Sequence, residues 1–167
     1  MANFVAIDFE TADYGRDSAC AVGLVRVEND RIVEEASCLI RPPREQFIFT
    51  HIHRITWEDV RDQPTFAEIW PAFSPLLHGV DFLVAHNAPF DRGVLNACCA
   101  AAQIAQSQHR FICTVRLARA AWGIRPTTLP NVCRHLGIGL RHHDAASDAR
   151  ASAEIALAAI RMGHGLS

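Results

Sequence analysis

Three runs of apolar residues near the N-terminus predict β-strands. Residues 3–9 include four consecutive apolar positions, a pattern typical of a strand that is buried on both faces. Two further β-rich runs follow, at residues 20–27 and 31–40. The Glu-Asn-Asp segment at 28–30 is typical of a tight turn, so we expect a β-hairpin directly after the first strand.

Helical spacing of apolar residues dominates the rest of the chain, with two short strands inside it. Residues 65–77 are predicted to form a helix that Pro71 and Pro75 kink or break. Short apolar runs at residues 82–85 and 111–113 predict two more strands. The predicted strands therefore number five.

Two helices in the middle of the chain have recognisable start signals. Asn87 is expected to cap a helix that has Pro89 in its first turn and runs to about Ile104. Thr114 is expected to cap the next helix, which ends near Trp122. Each of these helices directly follows one of the two short strands.

Two further helices are predicted near the C-terminus, at residues 128–136, stopped by Gly137, and at the alanine-rich residues 145–162. Residues 42–64 show no regular pattern, and we expect a long irregular loop, of a kind that is often functional. The order β-β-β-α-β-α-β-α-α-α predicts an α/β fold with a five-stranded mixed sheet flanked by helices. We expect a single domain over residues 1–167.

The composition is that of a globular protein, and it excludes two classes of function. Half of the 167 residues are apolar and 20% are charged, and no apolar run is long enough to span a bilayer. The N-terminus lacks the pattern of a signal peptide, so we expect a cytoplasmic protein without membrane association. The formal net charge of −2 excludes binding to nucleic acid through bulk charge, so any contact with phosphates must be local.

The cysteines do not have the spacing of a zinc site, because none of them forms a C-x-x-C pair. We expect reduced thiols that serve as small core residues. The six cysteines are Cys20, Cys38, Cys98, Cys99, Cys113 and Cys133.

A first candidate for chemistry is the pair Asp8 and Glu10 at the end of the first predicted strand. Residues i and i+2 of a strand point to the same face, so both carboxylates project together. Ligand sites of open α/β sheets lie at the carboxyl ends of the strands. Like charges side by side are unfavourable unless a cation holds them, and oxygen ligands suit Mg²⁺ or Mn²⁺.

Two further segments place acids at comparable positions. Asp91 falls in the first turn of the helix that follows the strand at 82–85, and Asp148 falls early in the last helix, with His143 in the loop just ahead of it. Taken singly, each acid is also explained by the helix dipole, which favours negative charge at a helix N-terminus. Together with Asp8 and Glu10, they form a complete set for two-metal phosphodiester hydrolysis.

The sequence resembles the DEDDh (DnaQ-like) 3′→5′ exonucleases, the family of the proofreading subunit of bacterial DNA polymerase III. The resemblance rests on D-F-E-T at residues 8–11, H-N-A-P-F-D at 86–91 and H-D-A-A-S-D-A at 143–149, and it extends to I-H-R-I-T at 52–56. Arg54 stands where the family often has glycine. Arginine resists the backbone angles that glycine allows, so the resemblance leaves the shape of that loop open.

The resemblance implies a ribonuclease-H-like fold and hydrolysis with two divalent metal ions, Mg²⁺ or Mn²⁺. Asp8 would bridge the two ions, and Glu10 and Asp148 would complete the site of the ion that carries the attacking water. Asp91 would hold the second ion. His143 would be the general base, because a near-neutral imidazole suits that task.

The adjacent His142 competes with His143 for the role of general base. The family spacing places four residues between the base and the last aspartate, which selects His143. His142 is then expected to be only a neighbour on the loop. Alanine substitution of each histidine separates the two assignments.

The resemblance also implies the residues that contact the substrate. The backbone around Phe9 and Thr11 would receive the terminal nucleotide, with Asn87 and Phe90 close to it. The loop that contains Ile52 would pack on the last base, which gives little sequence preference. His143 is counted among the contacts with the substrate as well as with the attacking water.

We expect a 3′→5′ exonuclease that releases nucleoside 5′-monophosphates from DNA ends and prefers single strands. The alternative within the family is an RNA-directed enzyme similar to oligoribonuclease or ribonuclease T, and contacts to the 2′-hydroxyl would decide between the two. The chain ends soon after the last predicted helix, from which we expect a free-standing nuclease. Association with a DNA polymerase is the other possibility.

Two alternatives from other classes of protein stay open at this point. A non-enzymatic interaction module with the same fold predicts the loss of one or more acidic motif residues, but all of them are present. A zinc protein would use four histidines, and metal content after purification would test it. These histidines are His51, His53, His142 and His143.

Overall fold

The computed structural model describes residues 1–165; Leu166 and Ser167, the end of the predicted domain 1–167, lie outside the described part. The strands are β1 (Phe4–Thr11), β2 (Ala19–Glu28), β3 (Arg31–Leu39), β4 (Phe82–Ala85) and β5 (Phe111–Cys113). They form one sheet in the order β3-β2-β1-β4-β5. β1 pairs antiparallel with β2 and parallel with β4, so the predicted five-stranded mixed sheet is confirmed.

Helices account for most of the remaining described residues. The α-helices are α1 (Thr50–His53), α2 (Trp57–Val60), α3 (Phe66–Phe73), α4 (Ala88–Ala101), α5 (Thr114–Trp122), α6 (Leu129–Leu136) and α7 (Ala145–Arg161). A 3₁₀ turn, Ser74–Leu77, directly follows α3. The predicted broken helix is confirmed, because Pro71 lies inside α3 and Pro75 lies in the first turn of the 3₁₀ segment.

The prediction of a wholly irregular segment at 42–64 is wrong, because α1 and α2 lie within it. The capping box of α2 explains the second helix: Thr56 and Asp59 satisfy each other's backbone and side-chain groups. α1 ends at Arg54, whose φ of 69° is left-handed. Arg54 therefore adopts the left-handed backbone conformation that glycine adopts most easily, and the chain turns at this position.

Two helix boundaries also differ from the prediction. α4 ends at Ala101 rather than near Ile104, because the chain turns at Gln103, which has a positive φ of 57°. Thr114 is the first residue of α5, and the capping position belongs to Cys113. Asn87 does precede α4 as expected, but its φ is 70° and its side chain makes no capping hydrogen bond.

The sheet separates two layers of helices, and the alternation along β1 determines which residue faces which layer. Val5 packs in the cluster that includes Leu95 of α4. Phe4 and Ala6 pack in the cluster that includes Ala153 of α7. Even-numbered residues of β1 therefore face α7, whose many alanines allow the helix to lie close to the sheet.

All six cysteines are free thiols, as predicted. Within residues 1–165, none of the helices combines the length and the apolar character that a bilayer crossing requires. The carboxyl ends of β1 and β4 lie at the same edge of the sheet, since these two strands are parallel. That edge is where the predicted functional residues converge.

Candidate active site

Asp8 and Glu10 extend the even-numbered face of β1 towards α7. In the pairing with β2 they lie opposite Gly23 and Ala21. β1 ends two residues later than predicted, at Thr11 instead of residue 9, so both acids belong to the regular strand. Their side chains therefore project in the same direction, as the i, i+2 spacing predicts.

Asp148 reaches the same place from the first turn of α7. Asp144 caps this helix, because its side chain accepts a hydrogen bond from the Ser147 backbone N–H at 3.0 Å. Gly23 of β2 leaves room for the helix, since a β-carbon there would overlap the backbone carbonyl of Ala145. One ligand oxygen from each of Asp8, Glu10 and Asp148 lies within 4.8 Å of the others.

Asp91 approaches β1 from the opposite layer, at the start of α4. It is only 1% exposed, and its Oδ1 accepts a hydrogen bond from the Phe9 backbone N–H at 3.0 Å. This hydrogen bond fixes α4 to β1 and leaves Oδ2 of Asp91 free of that contact. The structure thus brings all four predicted acids to one edge of the sheet, with Asp91 beside the cluster of three.

These carboxyl groups are electrostatically unfavourable in their charged form. Burial, followed by the charges of Asp91, Asp148 and Glu10, raises the pKa of Asp8 well above its usual range. Burial and the charge of Asp148 raise the pKa of Glu10 to about 7. Burial also raises the pKa of Asp91 to about 8. A cation bound between these groups would reverse this effect.

The donor set fits a divalent cation. Oδ1 of Asp148 is buried and has no hydrogen-bond partner in residues 1–165. An orphaned carboxylate oxygen of this kind is costly unless a metal ion or water occupies the space next to it. Only oxygen ligands meet at the cluster of Asp8, Glu10 and Asp148, which suits Mg²⁺ or Mn²⁺ better than zinc.

The two neighbouring histidines make different contacts with Asp148. Oδ2 of Asp148 accepts hydrogen bonds from Nδ1 of His142 at 2.8 Å and from the backbone N–H of His143 at 3.1 Å. The two imidazole rings are stacked with their centroids 3.8 Å apart. In this conformation the ring of His142, rather than that of His143, contacts the acid. The assignment of His143 as the base stays a prediction.

His86 is held as a neutral structural histidine. Its Nε2 donates to the Thr127 carbonyl oxygen at 3.1 Å, which leaves Nδ1 to accept the Thr114 hydroxyl hydrogen at 2.7 Å. Burial lowers the pKa of His86 to about 4. The ring therefore connects the end of β4 to α5 and to the segment before α6, and sequence reasoning missed both threonine partners.

His53 is similarly engaged, and this bears on the zinc alternative. His142 and His143 form a possible metal-binding group with Asp148, but His53 does not join it. Its Nε2 donates to the Thr11 carbonyl oxygen at 3.0 Å, and its Nδ1 accepts the Ile55 N–H at 3.1 Å. Among residues 1–165, neither His51 nor His53 belongs to a group that could hold a metal ion. The four histidines therefore do not assemble into one site.

The predicted substrate contacts fall into two groups. The side chains of Phe9 and Thr11 are buried, so only their backbone can meet a substrate. Asn87 is exposed, and Ile52 and Phe90 are each 38% exposed. The last three residues are therefore accessible from solvent, and Asn87 also lines the cavity that is bounded by Asp8 and Asp148.

Sequence reasoning did not single out Tyr14, an exposed aromatic residue in the loop after β1. Tyr14 is 79% exposed and meets Phe49 edge to face at 5.0 Å. Arg16, two residues later, donates to the Pro89 carbonyl oxygen of α4 at 3.3 Å, so this segment lies beside the start of that helix. The signal in the sequence was weak: Tyr14 is the only tyrosine and stands in a polar loop after β1.

The geometry first defines a class: an α/β sheet whose strand ends gather four carboxylates suited to divalent cations. A family model described as an exonuclease, RNase_T, matches residues 5–156. The chain belongs to this family, the DnaQ-like (DEDDh) 3′→5′ exonucleases, as the motifs predicted. Enzymes of this family use divalent metal ions.

Curated relatives agree with this assignment. The chain is 33% identical over 165 residues to a PolC-type DNA polymerase III of Thermotoga petrophila. The aligned region covers 96% of this chain and 12% of the polymerase. It is 34% identical over 149 residues to Exodeoxyribonuclease 10 of Escherichia coli strain K12, covering 85% of this chain and 61% of that protein. The chain thus spans less than two thirds of these relatives.

Solved structures confirm the ribonuclease-H-like fold. Exonuclease X, solved in complex with 5′ overhanging duplex DNA, has a TM-score of 0.78 at 26% identity, covering 98% of this chain and 95% of that chain. The nuclease domain of 3′hExo, a DEDDh family member bound to rAMP, has a TM-score of 0.82 at 18% identity. This similarity covers 99% of this chain and 95% of that chain. The second similarity supports the fold alone.

Proposed function

We propose that this chain is a metal-dependent 3′→5′ exonuclease that acts on DNA, prefers single-stranded ends and releases nucleoside 5′-monophosphates. The observation that carries the proposal is the cluster of Asp8, Glu10 and Asp148, whose ligand oxygens lie within 4.8 Å of one another. No arginine of residues 1–165 pairs with these three acids. The cluster therefore calls for an external cation.

Two divalent ions, Mg²⁺ or Mn²⁺, would be held by four acids. Asp8, Glu10 and Asp148 would hold one ion, and Asp91 together with Asp8 the second. When bound, the ions supply a water of lowered pKa and neutralise negative charge on the phosphate. The chain's own contribution is to hold these acids rigidly, through the β1 strand, the capped α7 and the hydrogen bond from Phe9 to Asp91.

His143 is the proposed general base. Partial burial and the neighbouring His142 lower the pKa of His143, so its ring is neutral at pH 7 and able to accept a proton from the attacking water. To act, the ring would leave its stack on His142 and turn towards the substrate. We expect His143→Ala to lower kcat by about 10²- to 10⁴-fold and His142→Ala to lower it far less. The opposite ranking in single-turnover assays would transfer the role to His142.

DNA is the proposed substrate because of the relatives that exceed 30% identity. Their names, Exodeoxyribonuclease 10 and PolC-type DNA polymerase III, refer to DNA. The decisive experiment compares release of 3′-terminal nucleotides from DNA and RNA oligonucleotides of matched sequence, single-stranded and duplex, with Mg²⁺, Mn²⁺ or EDTA. We expect metal-dependent loss from the 3′ end that is fastest on single-stranded DNA. Faster release from RNA would assign the chain to the RNA-directed branch.

We propose further that the chain acts without a polymerase. Support comes from exonuclease X, which is 26% identical to this chain and was solved in complex with 5′ overhanging duplex DNA. The similarity to a segment of the much longer PolC-type polymerases motivates the opposite arrangement. Gel filtration of the protein with and without a bacterial replicative polymerase, combined with the oligonucleotide assay, tests the proposal. Co-elution with a gain in activity would contradict it.

A further inference from the structure

A groove of about 1010 Å³ lies between α4 and α5, outside the carboxylate cluster. Three arginines line it: Arg92 from α4, and Arg116 and Arg119 from α5. None of the lining residues in the described part of the chain is an aspartate or a glutamate. This local positive charge stands out in a chain whose net charge is −2.

The groove arginines differ from many other arginines of the protein. Arg44, Arg61 and Arg150, for example, form salt bridges with carboxylates. By contrast, Arg92 and Arg116 are exposed and form no salt bridge within residues 1–165. Their guanidinium groups are therefore available to an external anion. Arg119 is partly engaged, because its Nε donates to the Thr127 hydroxyl at 2.8 Å.

The groove adjoins the active site. Asn87 and Val115 line it, and they also line the cavity of about 310 Å³ that is bounded by Asp8 and Asp148. α4 and α5 both begin at that edge, because each follows one of the parallel strands β4 and β5. The groove between them thus starts at the carboxylate cluster and leads away from it along the two helices.

We infer that this groove binds the phosphodiester backbone of the strand being degraded, on the 5′ side of its terminal nucleotide. The inference rests on the proposed function, because the strand can only follow this path if its 3′ end occupies the carboxylate cluster. Guanidinium groups recognise phosphate through charge-assisted and bidentate hydrogen bonds. Contacts of this kind carry no base preference, which suits an enzyme that must step along any sequence.

The test uses the double variant Arg92→Gln/Arg116→Gln. Arg119 is left in place because it donates a hydrogen bond to the hydroxyl of Thr127. The backbone carbonyl of Thr127 contacts His86, so a change at Arg119 could disturb the site. Two substrates are compared with each protein: the p-nitrophenyl ester of thymidine 5′-monophosphate, which has no upstream strand, and a single-stranded DNA 12-mer. The readout is the ratio of kcat/KM on the 12-mer to kcat/KM on the ester.

A matched control removes the same charge elsewhere. Arg31→Gln/Arg161→Gln changes two arginines that line a different cavity, at the opposite end of the sheet where β3 begins. We expect the ratio to fall at least tenfold in the groove variant and to stay unchanged in this control. The slope of log KM against log salt for the 12-mer should fall by about 1.4 in the groove variant, because two phosphate contacts to a single strand are lost. Arg92→Lys/Arg116→Lys should restore most of that slope.

The outcomes are distinguishable. An unchanged ratio in the groove variant, with ester hydrolysis intact, would overturn the inference and leave the proposed function standing. A wild-type protein that hydrolyses neither substrate with Mn²⁺ would instead contradict the proposed function itself.

Discussion

Two groups of acids lie close together after the start of β1, and they differ in what neutralises them. Asp13 and Asp17 share the guanidinium group of Arg44, at 2.8 Å and 2.6 Å respectively. Asp8 and Glu10, only a few residues earlier, have no arginine partner in the described chain. The negative charge of the first group is neutralised by an arginine of the protein, whereas that of the second group requires a bound cation.

The pKa values record the same difference. Hydrogen bonds from Arg44 lower the pKa of both Asp13 and Asp17, whereas burial and neighbouring acids raise the pKa of Asp8 and bring that of Glu10 to about 7. Acids that cluster in a structure are therefore not by themselves a sign of a metal site. The sign is a cluster that the protein leaves without an internal positive charge.

The largest effect that this comparison predicts is on catalysis. Asp8→Asn should lower kcat/KM on single-stranded DNA by at least about 10³-fold, or roughly 4 kcal/mol of transition-state stabilisation, because the amide cannot neutralise a cation. Circular dichroism should show an intact fold. The matched control is Asp17→Asn, which removes an acid of the other group and should retain activity. More than a tenth of wild-type activity in Asp8→Asn would refute the metal-dependent mechanism.

The second effect is stabilisation by the cation itself. Mn²⁺ at about 100 times its dissociation constant should stabilise the wild-type protein by about 2.7 kcal/mol, measured as a shift in Tm. Asp148→Asn should remove most of this shift, because Asp148 belongs to the cluster and one of its oxygens has no partner among residues 1–165. Arg44→Gln should leave the shift unchanged. Equal shifts in Asp148→Asn and the wild type would place the ion elsewhere.

The third effect is on folding and concerns only the arginine-paired group. Arg44→Gln leaves the buried carboxylate of Asp13 without its main partner, so we expect a loss of about 1–2 kcal/mol in the free energy of unfolding. Arg61→Gln, which removes an exposed salt bridge with Asp62, should change it by less than about 0.5 kcal/mol. Urea denaturation measures both. Similar values for the two variants would show that the Arg44 network contributes no more than a surface pair.

The smallest effect is a dependence of stability on pH in EDTA. Between pH 7 and 8 the folded protein loses its remaining protons from Glu10 and Asp91, whose pKa values are about 7 and 8, while the unfolded chain has already lost them at lower pH. Stability should therefore decline as pH rises through this window. The arginine-paired acids contribute no slope there, because their lowered pKa values lie far below it. Asp91→Asn should flatten the decline in Tm, and a rise of Tm with pH in the wild type would contradict the raised pKa values.

The sequence predicted the strands and the convergence of the acids because both depend on local patterns. The i, i+2 spacing of Asp8 and Glu10 and the helix starts before Asp91 and Asp148 can be recognised without tertiary information. The pairing of Asp13 with Arg44 cannot, because a 31-residue separation is closed only by the fold. The groove arginines escaped notice for the same reason.

The contacts of the two adjacent histidines could not be predicted from local sequence patterns. Spacing selected His143, yet the structure gives the contact with Asp148 to the ring of His142. Which of two adjacent rings turns inward depends on the backbone, and His143 has a positive φ of 66° that no sequence pattern indicated. The two short helices within residues 42–64 were missed because four-residue helices lack a readable period.

The site is sensitive to substitution at Gly23, although this residue has no catalytic group. It holds no ion and donates no proton, yet a single added methyl group would meet the start of α7 and move Asp148 away from Asp8. A random screen for inactive variants should therefore recover this glycine together with the acids. In functional terms, the spacing of the ligands is encoded partly by a residue without a side chain, on a strand that contributes no ligand of its own.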